Sequence, residues 1–105
     1  MGYTTHDWVG VAYVTPAEGS EQEREGLAGG YGFVACRAET TGACVRALEE
    51  ELLEGGTVLS GFEWLSRTVD NERELRPEDT ELIARLREYP VQFKDFEWYQ
   101  AGKLH

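Results

Sequence analysis

The sequence predicts an α+β fold, a two-layer sandwich in which two helices cover one face of a mainly antiparallel sheet of about four strands. Two observations predict this fold. Four segments rich in Val and aromatic residues have the composition of strands, and two segments with apolar residues at helical spacing lie between the later strands. A chain of 105 residues, 41% of them hydrophobic, is expected to form one domain spanning 1–105.

The strand segments are 7–15, 31–39, 57–67 and 91–100. The first carries apolar residues on both faces, Val9 and Val11 on one and Trp8 and Val14 on the other. A strand that is apolar on both faces is typical of the centre of a sheet.

The first helix is expected over 40–56, with Thr40 or Thr41 as its cap and Gly55-Gly56 as its end. The second begins at Pro77 and ends before Pro90. The predicted buried stripes are Val45, Leu48 and Leu52 in the first helix, and Leu82, Ile83, Leu86 and Tyr89 in the second. The element order β-β-α-β-α-β then favours a broadly ferredoxin-like architecture, with both helices on the same face.

Three connecting or terminal segments complete the chain. Residues 17–30 are acidic and end in glycines, which predicts a mobile loop; Ser20 and Glu23 would allow one capped helical turn within it. Residues 68–75 form a charged connection with a turn at Asp70-Asn71, and 101–105 is predicted to be a frayed tail.

The tripeptide Phe-Glu-Trp occurs twice, at 62–64 and at 96–98. Because side chains alternate along a strand, Trp64 and Trp98 are expected on one sheet face, with Glu63 and Glu97 on the other, provided that neither strand contains a bulge. The aromatic face is either the core or an exposed interface, since Leu59 and Phe93 belong to a second apolar set on the opposite side. Two helices cannot cover both faces, so a homodimer or a partner contact is expected to bury the remainder.

The net charge of the chain favours some classes of binding partner and disfavours others. Twenty acidic residues against ten basic ones give a formal net charge of −10, which disfavours direct binding to nucleic acids and to anionic membranes. A basic protein is the partner that such a surface attracts, although acidity also serves solubility alone. No membrane-spanning segment or secretory signal is recognisable, and a cytoplasmic protein with two free thiols, Cys36 and Cys44, is expected.

Groups that could support catalysis are sparse. His6 beside Asp7 is more typical of a strand start than of a general base, and Cys36 and Cys44 do not have the spacing of a metal site. Glu63 and Glu97 would form an acid–base pair if close together, or a solvated or ion-paired couple near Arg67 and Lys94. The glycines at 30–32 lack the strand–turn–helix context of a dinucleotide fingerprint, so no cofactor and no metal are expected.

The leading hypothesis is therefore a non-enzymatic acidic binding protein that engages a basic protein partner, as immunity proteins, antitoxins and inhibitors do. The predicted partner-binding residues are Glu49, Glu50, Glu54, Trp64 and Trp98. Two alternatives stay open. One is a small homodimeric module that binds a small molecule in an aromatic-lined cleft, with or without enzymatic activity, and the other is a structural accessory subunit.

Overall fold

A computed structural model describes residues 5–68, 76–94 and 96–100 of the chain. Within these residues the strands are β1 (His6–Pro16), β2 (Leu27–Ala38), β3 (Thr57–Arg67), β4 (Val91–Phe93) and β5 (Glu97–Gln100). The helices are α1 (Glu21–Arg24), α2 (Thr41–Glu54) and α3 (Pro77–Ala84), and α3 continues into a 3-10 turn at Arg85–Arg87. The predicted tail at 101–105 and the predicted turn at Asp70-Asn71 lie outside the described residues.

The strands form one sheet in the order β3-β1-β2-β4, and every pairing in it is antiparallel. Strand β2 pairs with β4 over 34–36 and with β5 over 27–31, so the single last strand predicted at 91–100 is two short strands along one edge. The α+β class and the antiparallel sheet are thus confirmed. The central position predicted for the first strand is also confirmed, because β1 lies between β3 and β2.

The two longer helices lie on opposite faces of the sheet. Cys44 and Leu48 of α2 pack on the face that carries Ala12, Val34 and Cys36, here called the α2 face. Leu82 of α3 and Leu86 of the 3-10 turn pack on the other side, the α3 face.

The prediction of a two-layer, ferredoxin-like sandwich with both helices on one face is therefore wrong. The physical reason is that β1 and β2 are apolar on both sides, and alternate residues of each strand enter separate cores. Val9, Phe33 and Ala35 belong to the core beneath α3, whereas Ala12 and Val34 belong to the core beneath α2.

The loop predicted over 17–30 is also wrong for most of that range. Helix α1 occupies its middle, where the Ser20 hydroxyl accepts a hydrogen bond from the Glu23 amide at 3.2 Å, as expected of a helix cap. From Leu27 onward the chain belongs to β2. Close packing favours glycine there: a Cβ on Gly32 would lie 2.6 Å from the Phe96 ring, and one on Gly30 would lie 2.7 Å from the Glu97 carbonyl oxygen and 3.2 Å from the Trp98 ring.

A β-bulge in β3 decides where the repeated tripeptide points. Val11 pairs with Trp64 and the next residue of β1, Ala12, pairs with Phe62, so Glu63 is the extra residue of the bulge. Phe62 accordingly packs against the α2-face core and Trp64 against the α3-face core.

Trp98 of β5 pairs with Gly30 of β2 and lies on the α2 face. The prediction that Trp64 and Trp98 share a face is therefore wrong. The condition attached to that prediction, a strand without a bulge, is not met in β3. The two copies of the tripeptide therefore have no common structural role.

Candidate functional site

The outer side of α2 forms a groove with β3. Cys44, Leu48 and Leu52 are buried beneath the helix, which turns Glu49, Glu50 and Leu53 away from the core. The groove has a volume of about 420 Å³. It is called the α2–β3 groove, and its lining residues are Arg46, Glu49, Glu50, Leu53, Val58 and Leu59.

The α2–β3 groove is lined by three apolar and three charged residues. Leu53 is 59% exposed and Val58 is 40% exposed, and both lie beside the carboxylates of Glu49 and Glu50. A single exposed leucine needs no explanation, but an exposed apolar pair inside a charged rim has the composition of a protein interface.

The charges of α2 oppose the dipole of the helix. The helix has no acidic residue in its first turn and no basic residue in its last turn, where Glu51 and Glu54 lie. Carboxylates at the negative end of a helix are unfavourable by about 0.3–1 kcal/mol each. Within the described part of the chain, neither Glu51 nor Glu54 forms an ion pair that would offset this cost, and Glu49 and Glu50 form none either.

A second acidic segment adjoins the end of α2. The amide of Ala17 donates a hydrogen bond to the carbonyl of Gly56 at 3.0 Å, which brings α1 next to the last turn of α2. The carboxylates of α1 and its flanks, Glu18, Glu21, Glu23 and Glu25, are all exposed. The acidic segment that includes α1 therefore lies beside the acidic last turn of α2.

Trp98 lies in a separate groove on the same side of the sheet. This groove, of about 450 Å³, separates α1 and the end of α2 from the β4–β5 edge. Its aromatic residues are Phe93, Phe96 and Trp98, and Phe93 stacks on Phe96 with ring centroids 5.7 Å apart. Of the predicted partner-binding residues, Glu49, Glu50, Glu54 and Trp98 are thus on the α2 side of the sheet, whereas Trp64 is on the other.

The α3 face contains a cavity of about 340 Å³, here called the α3-face cavity. The sheet supplies Val11, Tyr31, Gly32, Phe33, Glu63, Trp64 and Glu97, and the other lining residues are Arg76, Asp79 and Lys94. Glu63 and Glu97 both line this cavity, although β1 and β2 separate their strands. The prediction that both glutamates lie on the face opposite the tryptophans is wrong for Glu63, because Trp64 lines the same cavity.

One wall of the α3-face cavity is a hydrogen-bonded pair. The Tyr31 hydroxyl donates to Glu97 Oε2 at 2.6 Å, and the two residues are direct partners across β2 and β5. This hydrogen bond and the negative charges of Glu97 and Glu63 raise the pKa of the Tyr31 phenol, so the hydroxyl stays protonated at neutral pH.

An ion pair forms another part of the lining of the α3-face cavity. Lys94 Nζ donates to Asp79 Oδ1, and Asp79 Oδ2 accepts a hydrogen bond from the Arg76 amide at 3.2 Å. Asp79 is 4% exposed, and it closes the first turn of α3. Burial would raise the pKa of Asp79, but the hydrogen bonds from Lys94 and Arg76 and the charges of both residues hold that pKa below its ordinary value.

The groups considered for catalysis are engaged elsewhere. Asp7 pairs with Arg37 at 2.8 Å, while the His6 ring makes an edge contact with Trp8. Cys36 and Cys44 are free thiols in the α2-face core, where the hydrogen bond to Cys36 and burial raise the pKa of Cys44. Among the described residues, no group of three or more His, Cys, Asp or Glu side chains is placed to hold a metal ion.

Several residues of these surfaces were not predicted from the sequence. Leu53 carried a signal, since it is an apolar residue between acidic neighbours on the outer side of a helix. Tyr31, Asp79 and Lys94 carried no comparable signal, because they come from distant segments and only the fold brings them to one cavity.

Comparison of the chain with protein-family models, with curated proteins and with solved structures found no match. Over the residues that the structure describes, the helices are too short and too polar for any of them to cross a membrane.

Proposed function

We propose that this chain is a non-enzymatic binding protein that uses the α2–β3 groove to engage a basic protein partner. The observation that carries the proposal is the exposed pair of Leu53 and Val58 framed by Glu49 and Glu50. The net charge of −10 and the acidic end formed by α1 and α2 support the same partner chemistry.

The two kinds of contact have different roles. The carboxylates attract a basic surface over a distance, which accelerates association and selects against acidic proteins. Leu53 supplies the apolar anchor that slows dissociation once its exposed side chain is covered. The positive charges of a basic partner also offset the unfavourable interaction of Glu51 and Glu54 with the negative end of the α2 dipole.

This mode of binding suits proteins that mask a functional basic surface, such as immunity proteins, antitoxins and inhibitors. The site of action would be the cytoplasm, where the buried thiols of Cys36 and Cys44 stay reduced. The Trp98 groove, next to the end of α2, offers a further contact to the same partner.

A selection from a library of random peptides tests the proposal without knowledge of the natural partner. Peptides bound by the wild-type protein are expected to be rich in Lys and Arg and to contain an apolar residue. Their affinity should fall between about 50 mM and about 300 mM salt, because exposed charges are screened. Each of the variants E49Q/E50Q and Leu53→Ala should weaken binding by about tenfold at low salt.

The matched control is E78Q/E81Q, which changes the charge equally on α3, away from the groove. This variant should bind the selected peptides as the wild type does. Selected peptides without basic enrichment, or binding that is indifferent to the groove variants, would show that the α2–β3 groove is not the partner site.

A homodimer is the competing use of the same apolar residues, and sedimentation equilibrium separates the two. A concentration-dependent dimer that Leu53→Ala dissociates would assign the groove to self-association instead.

A further inference from the structure

We propose that the α3-face cavity binds a small organic cation that carries an amine or guanidinium group. This site is distinct from the α2–β3 groove, because it lies on the opposite face of the sheet. Its volume of about 340 Å³ is at the lower end of the range for small-molecule sites.

The shape of the cavity is set by rigid elements. Its floor consists of Val11 from β1, Phe33 from β2 and Trp64 from β3, and β1 and β2 are the two central strands of the sheet. The first turn of α3, fixed by the bond between Asp79 and the Arg76 amide, forms one wall. A ligand would therefore enter a largely preformed site and would not have to order it.

Three carboxylates and two basic side chains line the α3-face cavity. The two basic side chains of the cavity are already engaged, since Lys94 pairs with Asp79, and Arg76 lies 3.7 Å from Asp79 and 3.8 Å from Glu78. Glu63 has no ion pair within the described residues, and Glu97 accepts only the neutral Tyr31 hydroxyl. Among the residues that the structure describes, the carboxylates of Glu63 and Glu97 therefore line the cavity without a cationic partner, which favours a positively charged ligand and opposes an anion.

The aromatic surfaces favour the same charge. Trp64 and Tyr31 line the cavity beside Glu63 and Glu97, and the face of an aromatic ring attracts a cation. A desolvated cation held by both a ring and a carboxylate gains from each contact.

The cavity already holds one ammonium in this way. Lys94 Nζ lies 5.3 Å from the centroid of the Phe33 ring while it is bonded to Asp79. Trp64 and Tyr31 with Glu63 and Glu97 also line the cavity and provide a second set of rings and carboxylates. We infer that a ligand cation occupies this second set.

Agmatine, which carries an amine and a guanidinium group, is the probe that tests the proposal. Titration of W8F/W98F, in which Trp64 is the remaining tryptophan, should give a saturable fluorescence change. The change should be absent for glutarate, an anion of similar length, and for pentane-1,5-diol, a neutral one. E63Q/E97Q in the same background should weaken agmatine binding by at least about tenfold.

The control E39Q/E88Q in the same background removes an equal charge at two exposed positions that do not line the cavity, and it should leave the affinity unchanged. Thermal unfolding should show that both variants are folded, because the replaced side chains are exposed. N-acetyl-arginine amide distinguishes the source of the cation: binding equal to that of agmatine indicates a protein side chain, and weaker binding indicates a free small molecule. The absence of a saturable change up to about 10 mM agmatine, or equal affinity in E63Q/E97Q, would overturn the proposal.

Discussion

Replacement of Leu86 by alanine is expected to lower the free energy of unfolding by about 2–5 kcal/mol. Leu86 is 2% exposed and belongs to the core formed by Val9, Phe33, Ala35 and Leu82 on the α3 face. Truncation removes buried methyl groups and leaves a cavity that the surrounding strands can fill only in part. Chemical denaturation of both proteins measures the difference.

Leu53→Ala is the matched control for this prediction, because it deletes the same atoms from a side chain that is 59% exposed. Its effect on the free energy of unfolding should stay within about 0.5 kcal/mol, as for most surface positions. A loss of that small size for Leu86→Ala would mean that the 3-10 turn does not pack on the sheet as described.

The second large effect is expected at Asp79. Asp79→Asn keeps the shape of the side chain but removes its charge, so that Lys94 loses a charge-assisted hydrogen bond in a poorly solvated position. The expected cost is about 1.5–3 kcal/mol at neutral pH. The neighbouring Glu78→Gln, at an exposed position, should cost less than about 0.5 kcal/mol in the same assay.

The advantage of the wild type over Asp79→Asn should depend on pH in a defined direction. Because the folded-state pKa of Asp79 is held below its ordinary value, the stabilisation is complete above the unfolded-state pKa of about 3.9. It is lost as the pH falls through the folded-state pKa, where the carboxylate takes up a proton. A difference between the two proteins that is the same at neutral pH and at about pH 2.5 would contradict the ion pair.

Local features of the sequence were sufficient to predict most of the elements. The helix caps at Ser20 and Thr40 and the buried positions Leu48, Leu52 and Leu82 follow from residue type and from helical spacing, and the structure confirms them. The predicted stripe of the second helix fails at Tyr89, which is 48% exposed and donates a hydrogen bond to Glu51 at 2.7 Å. The regular α3 ends at Ala84, so helical spacing no longer applies at this position.

The arrangement of the elements could not be predicted from local features. A strand that is apolar on both sides, such as β1, permits helices on one face of the sheet or on both. Only the packing of the whole chain decides which face each helix covers. The bulge at Glu63 leaves no trace in the alternation of residue types, yet it reverses the direction of Phe62 relative to Trp64. The sequence predicts a loop at the glycines of β2 because the rings that pack against them, Phe96 and Trp98, come from a distant part of the chain.

Of the two candidate surfaces, one could be predicted in part from local features of the sequence and the other could not. The exposure of Glu49, Glu50 and Glu54 was predictable, since consecutive helical residues cannot all face a core, and the structure confirms that all three are exposed. The α3-face cavity was not predictable, because it depends on the bulge and on the placement of α3 against the sheet.

The fold described above and the proposed cation site depend on one structural claim, that α2 and α3 lie on opposite faces of the sheet and that the bulge turns Trp64 toward α3. Nuclear Overhauser contacts from the Trp64 indole protons test it most directly, with methyl groups of Leu and Val selectively labelled. We expect contacts from Trp64 to methyl groups of the α3-face core, which contains Val9, Leu82 and Leu86. Contacts from Trp64 to Leu48 or Leu52 would place it beneath α2 and would contradict both the arrangement of the helices and the cation site.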